Sequence, residues 1–520
     1  MSSTPLQHVI VTPRETIANP TLAELKALVA KMPTARKSQY GNYNVSTKVL
    51  ARSKASTYIV TDTPEAHSDQ TLSRAKGDNI AQMQDAFIKE QSMVVIDGYI
   101  GPEAKTRVAA RLMVEAKFAN IAAMQQQLYF TPSPQERGLF VPQLQIIYTP
   151  SLKAPGFPND RVIAVDLDKY VTRVLNSDYF GESKKAGLRM WNKILYDRGG
   201  LAMHAGCKAI PVGGKQKIGL IIGLSGTGKT TTTFTRQNDS QPIQDDFVGL
   251  LADGSVLATE NGCFAKTYGL DPKSEPMIYG AVTQADAYLE NVSMKDDGTV
   301  DFFDESYTQN GRATFPFASI PDIGDMRQIP RVDFILILNR NENIIPAVAK
   351  LTRAQGAAFF MLGETKGTAA GGVEEAGRAL RVPGTNPFFP LLHAQQGARF
   401  LQLMQHMPTD VFLMNTGWVG GIDGTKYAKK VKIRHSSAVV KGIAEGSITW
   451  TRDADFGYEV AQQVPGLNDD DADVLRPAAY YASCGRQDEY QRIVASLKAD
   501  RQTHLAKFPG LPAEITAAVK

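Results

Sequence analysis

Apolar residues along this chain fall into short blocks separated by turn signals, the rhythm of alternating strands and helices. A Thr- and Pro-rich start predicts an irregular lead-in. The apolar spacing of Thr21 to Met32 suits a short helix. Met93 to Ile96 predicts a compact strand before Gly98 and a Gly101-Pro102 turn. Residues 104–126 are Ala-rich with few breakers and predict a long helix. Gln143 to Ile147 and Arg161 to Val165 predict further strands. The character changes near residue 203. There the apolar run Ile218 to Ile222 predicts a buried strand, and Thr230 to Thr235 a helix start. Turn signals follow at Asp253-Gly254, Asn261-Gly262 and Asp297-Gly298. Phe334 to Leu338 and Val411 to Met414 read as buried strands. The pattern implies an α/β protein of two domains, residues 1–202 and 203–520, without internal repeats.

Between that predicted strand and helix lies Gly223-Leu224-Ser225-Gly226-Thr227-Gly228-Lys229-Thr230, with Thr231 next. It fits G-x-x-x-x-G-K-[ST] in full. In such a loop the glycines let backbone N–H groups approach phosphate oxygens. Lys229 reaches the terminal phosphates, and the Thr230 hydroxyl can hold a magnesium ion. A phosphate site of this kind needs carboxylates for its metal. Asp245-Asp246 follows a short apolar segment, where a strand end can present them.

Composition narrows the class without naming a reaction. The 520 residues are 43% hydrophobic and 21% charged, as in ordinary globular proteins. A net charge of +4 is mild at this length and gives no reason to expect nucleic acid. The three cysteines, Cys207, Cys263 and Cys484, are far apart and form no C-x-x-C pair. That argues for a reducing compartment and against a thiolate metal site. No window approaches the ~18 apolar residues of a membrane span, and the N-terminus does not read as a signal peptide. The expectation is a cytoplasmic protein acting on small molecules, with oligomeric state open. The tract Gly363 to Gly377, rich in Gly, Ala and Thr, reads either as a surface loop or as a lid over a nucleotide.

Taken alone, Lys184-Lys185 would be a solvated charge pair and His204 an ordinary histidine. In order along the chain they mean more. Tyr179-Phe180-Gly181-Glu182-Ser183-Lys184-Lys185, then Met203-His204, then Gly223 to Thr231, then Asp245-Asp246 resemble the ATP-dependent phosphoenolpyruvate carboxykinase family. Gly223 to Thr231 matches that family's G-L-S-G-T-G-K-T-T letter for letter. Further echoes are Arg52-Ser53, Gly262-Cys263-Phe264-Ala265-Lys266-Thr267, Arg312 and Asn415-Thr416-Gly417-Trp418.

The resemblance implies a two-domain fold, an N-terminal α/β domain and a P-loop nucleotide-binding domain, with the active site in the cleft. It implies conversion of oxaloacetate and ATP to phosphoenolpyruvate, CO2 and ADP. Mg2+ would travel with ATP at Thr230 and Asp245. Mn2+ would be held by Lys185, His204 and Asp246, a neighbouring cation such as Lys184 lowering the lysine's proton affinity. Arg52 would grip a carboxylate and Tyr179 would orient the departing carboxyl group. Lys184, Lys229 and Arg312 would neutralise the transferring phosphoryl group. Lys266, Lys430 and Ser436 would complete the nucleotide contacts.

The chain departs from the family around this core. Phe247 and Val248 stand where the family has glutamate and histidine, and Gln244 where it has glycine. Lys54-Ala55-Ser56-Thr57 replaces a proline-led charged segment. Met203-His204-Ala205-Gly206-Cys207-Lys208 replaces M-H-C-S-A-N, Lys430 the adenine-side arginine, and Glu364 to Gly372 the usual lid sequence. Three functions accommodate these changes: a working carboxykinase, a paralogue phosphorylating another small carboxylate, or a nucleotide-binding regulator without catalysis. Joint retention of Arg52, Lys185, His204, Asp246 and Arg312 argues against the last.

Overall fold

A computed structural model describes residues 11–224, 226–366 and 378–520. The chain is a mixed α/β protein with several mixed sheets, and it divides into two compact units. One contains Met1–Asp197 and Thr259–Pro321. The other contains Arg198–Ala258 and most of the chain after Pro321.

The first unit holds an eight-stranded sheet. Its central strands are Ser92–Ile100, Val108–Glu115, Leu144–Thr149 and Val171–Leu175. A five-stranded sheet adds Gly262–Lys266, Arg312–Pro316 and Tyr288–Glu290 to two strands from the chain start. The helix Ala119–Leu128 is buried on almost every face and packs against strands of both sheets. The helix Phe180–Asp197 packs on the larger sheet.

The long helix expected over 104–126 is not formed. Val108–Glu115 is a strand, antiparallel to Ser92–Ile100 and parallel to Leu144–Thr149. Helix begins only at Ala119, after a 3-10 turn at Ala116–Phe118. The alanines favour helix only weakly, and a strand slot buried between two partners overrides them.

The second unit is built on another eight-stranded sheet. Its centre is a parallel trio: Lys215–Ile222, Phe334–Asn339 and Asp410–Asn415. Each is apolar along nearly its whole buried length, as strands covered on both faces must be. The hairpin partner of Lys215–Ile222 is Ala205–Val212. Gly213 and Gly214, with φ of +55° and +77°, make its tight turn, where only glycine is unstrained. Gln241–Gln244 pairs on the other side of Ala205–Val212. Helix Arg353–Leu362 packs against helix His393–His406, with the rings of Phe360 and Phe400 stacked at 4.5 Å. The segment expected as a lid, residues 363–377, lies beyond residue 366 outside the described residues. Ser225 of the glycine loop also lies outside them. No helix among the described residues is long and apolar enough to cross a membrane.

Candidate active site

Strand pairing explains why motifs 20 to 40 residues apart meet. The hairpin aligns Ala205 with Ile222, so His204 and Gly223 emerge side by side. The His204 carbonyl accepts the Gly223 N–H at 3.3 Å. Gln244 pairs with Cys207, so Asp245 and Asp246 leave the sheet at the same edge. Gly226 and Gly228 turn the loop with φ of +84° and +90°. Thr227 is buried and closes the loop on itself, its Oγ1 donating to the Leu224 carbonyl at 2.7 Å. Lys229 and Thr230 then begin the helix Lys229–Phe234. At six residues this helix adds little dipole, so an anion here relies on loop N–H groups and side-chain cations.

These elements bring His204, Lys229 and Asp246 together. His204 Nε2 lies 2.8 Å from Asp246 Oδ1, and Lys229 Nζ lies 2.9 Å from the same oxygen. His204 Nδ1 faces the Thr385 carbonyl at 3.0 Å. A carbonyl only accepts, so Nδ1 carries the proton and donates. Nε2 faces a carboxylate oxygen, to which it donates when the ring is doubly protonated, and it has a lone pair for a cation when the ring is neutral. Phe247 is fully buried and lies nearly parallel to the imidazole, centroids 5.0 Å apart at 23°, and Phe388 meets that imidazole edge-on.

Beside the loop lies a cavity of about 230 Å3. Its wall includes Gly226, Thr231 and Thr416 and the predicted Lys430 and Ser436. Arg340, Lys430 and Lys432 line it, and among the described residues no carboxylate does. Arg340 donates to the Gly226 carbonyl at 2.7 Å, and Thr416 Oγ1 donates to the Thr227 carbonyl at 2.7 Å.

The remaining candidates lie in the first unit. Ser53, next to half-buried Arg52, donates its N–H to Glu182 Oε1 at 2.5 Å, pinning that turn to the helix Phe180–Asp197. Tyr179 is buried, and its hydroxyl accepts from Asn310 Nδ2 at 3.3 Å. Burial raises the proton affinity of that hydroxyl, and Arg312 partly opposes it. The ring folds over Gly181, where a Cβ would come within 2.4 Å of Tyr179 Cε1, so the motif needs glycine there. Lys184 and Lys185 are buried rather than solvated. Lys184 Nζ pairs with Glu260 Oε2 at 2.9 Å. Lys266 and Arg312 face each other across an antiparallel strand pair. Burial and then the Arg312 charge lower the Lys266 pKa, since both disfavour the charged amine.

The family model for phosphoenolpyruvate carboxykinase matches residues 14–470. The chain belongs to the ATP-dependent phosphoenolpyruvate carboxykinase family. The phosphoenolpyruvate carboxykinase (ATP) of Mesorhizobium japonicum is 31% identical over 444 residues, covering 83% of this chain and 80% of its own. A second relative, phosphoenolpyruvate carboxykinase (ATP) 1 of Moorella thermoacetica, is 28% identical with 98% and 97% covered. Another, from Geobacillus kaustophilus, is 29% identical with 94% and 93% covered.

Among the described residues no three His, Cys, Asp or Glu side chains cluster as a metal site of their own. His204 and Asp246 offer the imidazole nitrogen and carboxylate oxygen that suit a divalent ion such as Mn2+. The Thr385 carbonyl fixes the tautomer, as an outer partner of a ligating histidine does. Lys185 lies in the first unit, and its place as a ligand rests on resemblance alone. Against the carboxykinase motifs, Thr385, Glu260, Asn310 and Arg340 are additional contacts that no local sequence pattern marks. Thr416 was visible only as part of Asn415-Thr416-Gly417-Trp418.

Proposed function

We propose that this chain catalyses ATP-dependent decarboxylation and phosphorylation of oxaloacetate, yielding phosphoenolpyruvate, CO2 and ADP in the cytoplasm. The convergence of Lys229 and His204 on one Asp246 oxygen carries the reading, because a loop lysine and a metal-type donor pair then share one centre. A binding module would need only the loop.

The chemistry is assigned as follows. Arg52 grips a carboxylate of oxaloacetate through its guanidinium fork. Tyr179, its hydroxyl held by Asn310, orients the carboxyl group that departs. The carbon–carbon bond breaks to release CO2, and its electron pair forms the enolate. The enolate oxygen bonds to the γ-phosphorus as the bridge to ADP breaks. Lys184, Lys229 and Arg312 offset charge on the phosphoryl oxygens. Lys266, Lys430 and Ser436 hold the nucleotide. Lys185, His204 and Asp246 would hold one divalent ion, and Thr230 and Asp245 one that comes with ATP; bound there, they would supply positive charge for the developing oxyanions.

A coupled assay with oxaloacetate, ATP, Mg2+ and Mn2+ is expected to release phosphoenolpyruvate. ATP binding without turnover sinks the reading. Phe247 favours one second reading, a relative that phosphorylates another small carboxylate. A buried apolar ring packed on the His204 imidazole, where the resembled family has glutamate, removes a polar group from beside the donor pair. ADP release that requires a different carboxylate would select it.

A further inference from the structure

Gly206 and Lys208 lie two residues apart on the strand Ala205–Val212 and so share one face, the face that carries the loop helix. Lys208 is completely buried. Its Nζ donates to the Thr232 carbonyl at 3.1 Å, the Thr235 carbonyl at 2.6 Å and Gln237 Oε1 at 2.7 Å. None of these acceptors is charged. Two are carbonyls at the end of the helix, where the ladder leaves acceptors unfilled. All three acceptors belong to residues that line the 230 Å3 cavity. The ammonium therefore lies one layer beneath the cavity floor. Gln237 continues the connection, donating Nε2 at 3.1 Å to Ser437 Oγ, which belongs to the helix Ile433–Glu445 and also lines the cavity.

We propose that Lys208 is a positioning residue for the nucleotide, its charged form holding the cavity floor and drawing in the polyanion from below. This rests on the reading of the cavity as the nucleotide site. Burial lowers the Lys208 pKa to about 7. The surrounding elements bring other ionisable groups. The loop helix and the turn after it carry Lys229, Arg236 and Asp239. The hairpin partner carries Lys215 and Lys217. The helix Ile433–Glu445 carries Arg434, His435, Lys441 and Glu445. Gln241–Gln244 and Val248–Leu250 carry none. Burial, rather than any of these charges, sets the proton affinity of Lys208. A polyanion above the ammonium favours its charged form. Binding should then take up a proton just above neutrality, and affinity should fall as pH rises.

Titration calorimetry of the full chain with MgADP tests this. Phosphate groups titrate near ~6, so the window from pH 7.5 to 8.5 isolates the protein. Wild type is expected to take up a proton, seen as a heat that varies with buffer ionisation enthalpy. Its affinity should weaken by up to about tenfold across that pH unit. Lys208→Met should lose both effects and bind more weakly at pH 7.5. Lys208→Arg should bind without the pH dependence, and it decides the matter where Lys208→Met does not fold. Variants that keep the wild-type uptake and slope overturn the inference alone. A wild type that binds no MgADP overturns the functional reading and this inference with it.

Discussion

Phe247 and His204 form the tightest test of the site at the level of single residues. The imidazole is held by the Thr385 carbonyl at one nitrogen and by the Phe247 ring across its face. Its other nitrogen faces Asp246. If His204 is a metal donor, His204→Ala should reduce Mn2+-stimulated turnover by at least ~100-fold, the upper range for damage around a metal site. MgADP affinity should stay within about twofold, since the cavity wall does not include His204. Equal loss of turnover and nucleotide affinity would mean that His204 is structural. Phe247→Ala should separate packing from ligation. It removes a buried ring, at a cost of about 3–5 kcal/mol, and loosens the imidazole without deleting a donor. Excess Mn2+ should therefore recover part of its activity but none in His204→Ala.

At the level of elements, the site depends on how closely the loop helix lies on its strand. A Cβ at Gly206 would fall 2.1 Å from Thr233 Oγ1, closer than any real contact. Gly206→Ala should push the helix outward, destabilise the chain by about 1–3 kcal/mol and weaken MgADP binding. Thr233→Ala added to it should restore part of both, measured by denaturant unfolding and by titration. No rescue would show that strand Ala205–Val212, rather than this contact, carries the loss. The same hairpin explains what sequence could and could not convey. Motif order linked His204, Gly223 and Asp246 because strand pairing places all three at one sheet edge. Thr385 sits 181 residues from the histidine it contacts, and Arg340 sits 114 residues from Gly226. Such pairs depend on tertiary packing that no local pattern encodes. Val108–Glu115 failed for the opposite reason: its alanines speak for helix, and only its two strand neighbours make it sheet.

At the level of the whole molecule, each unit has its own large sheet and buried core. Every described residue lining the cavity belongs to the second unit. A ligand that binds only the folded state stabilises the structure that forms its site. At ~100 times its Kd, MgADP should add about 2.7 kcal/mol of protection. Amide hydrogen exchange, followed by mass spectrometry, should show that gain at 226–237, at Arg340 and at 416–437. These segments meet in the cavity although about 210 residues of sequence span them, a separation read from their ends. The strands Lys215–Ile222 and Phe334–Asn339 should slow with them, because the loop and Arg340 hang directly on their ends. Protection confined to 226–237 would mean that the loop binds phosphate while Lys430, Lys432 and Ser436 do not reach the nucleotide. That result would move base recognition away from the cavity and leave the assignments of Lys430 and Ser436 without support.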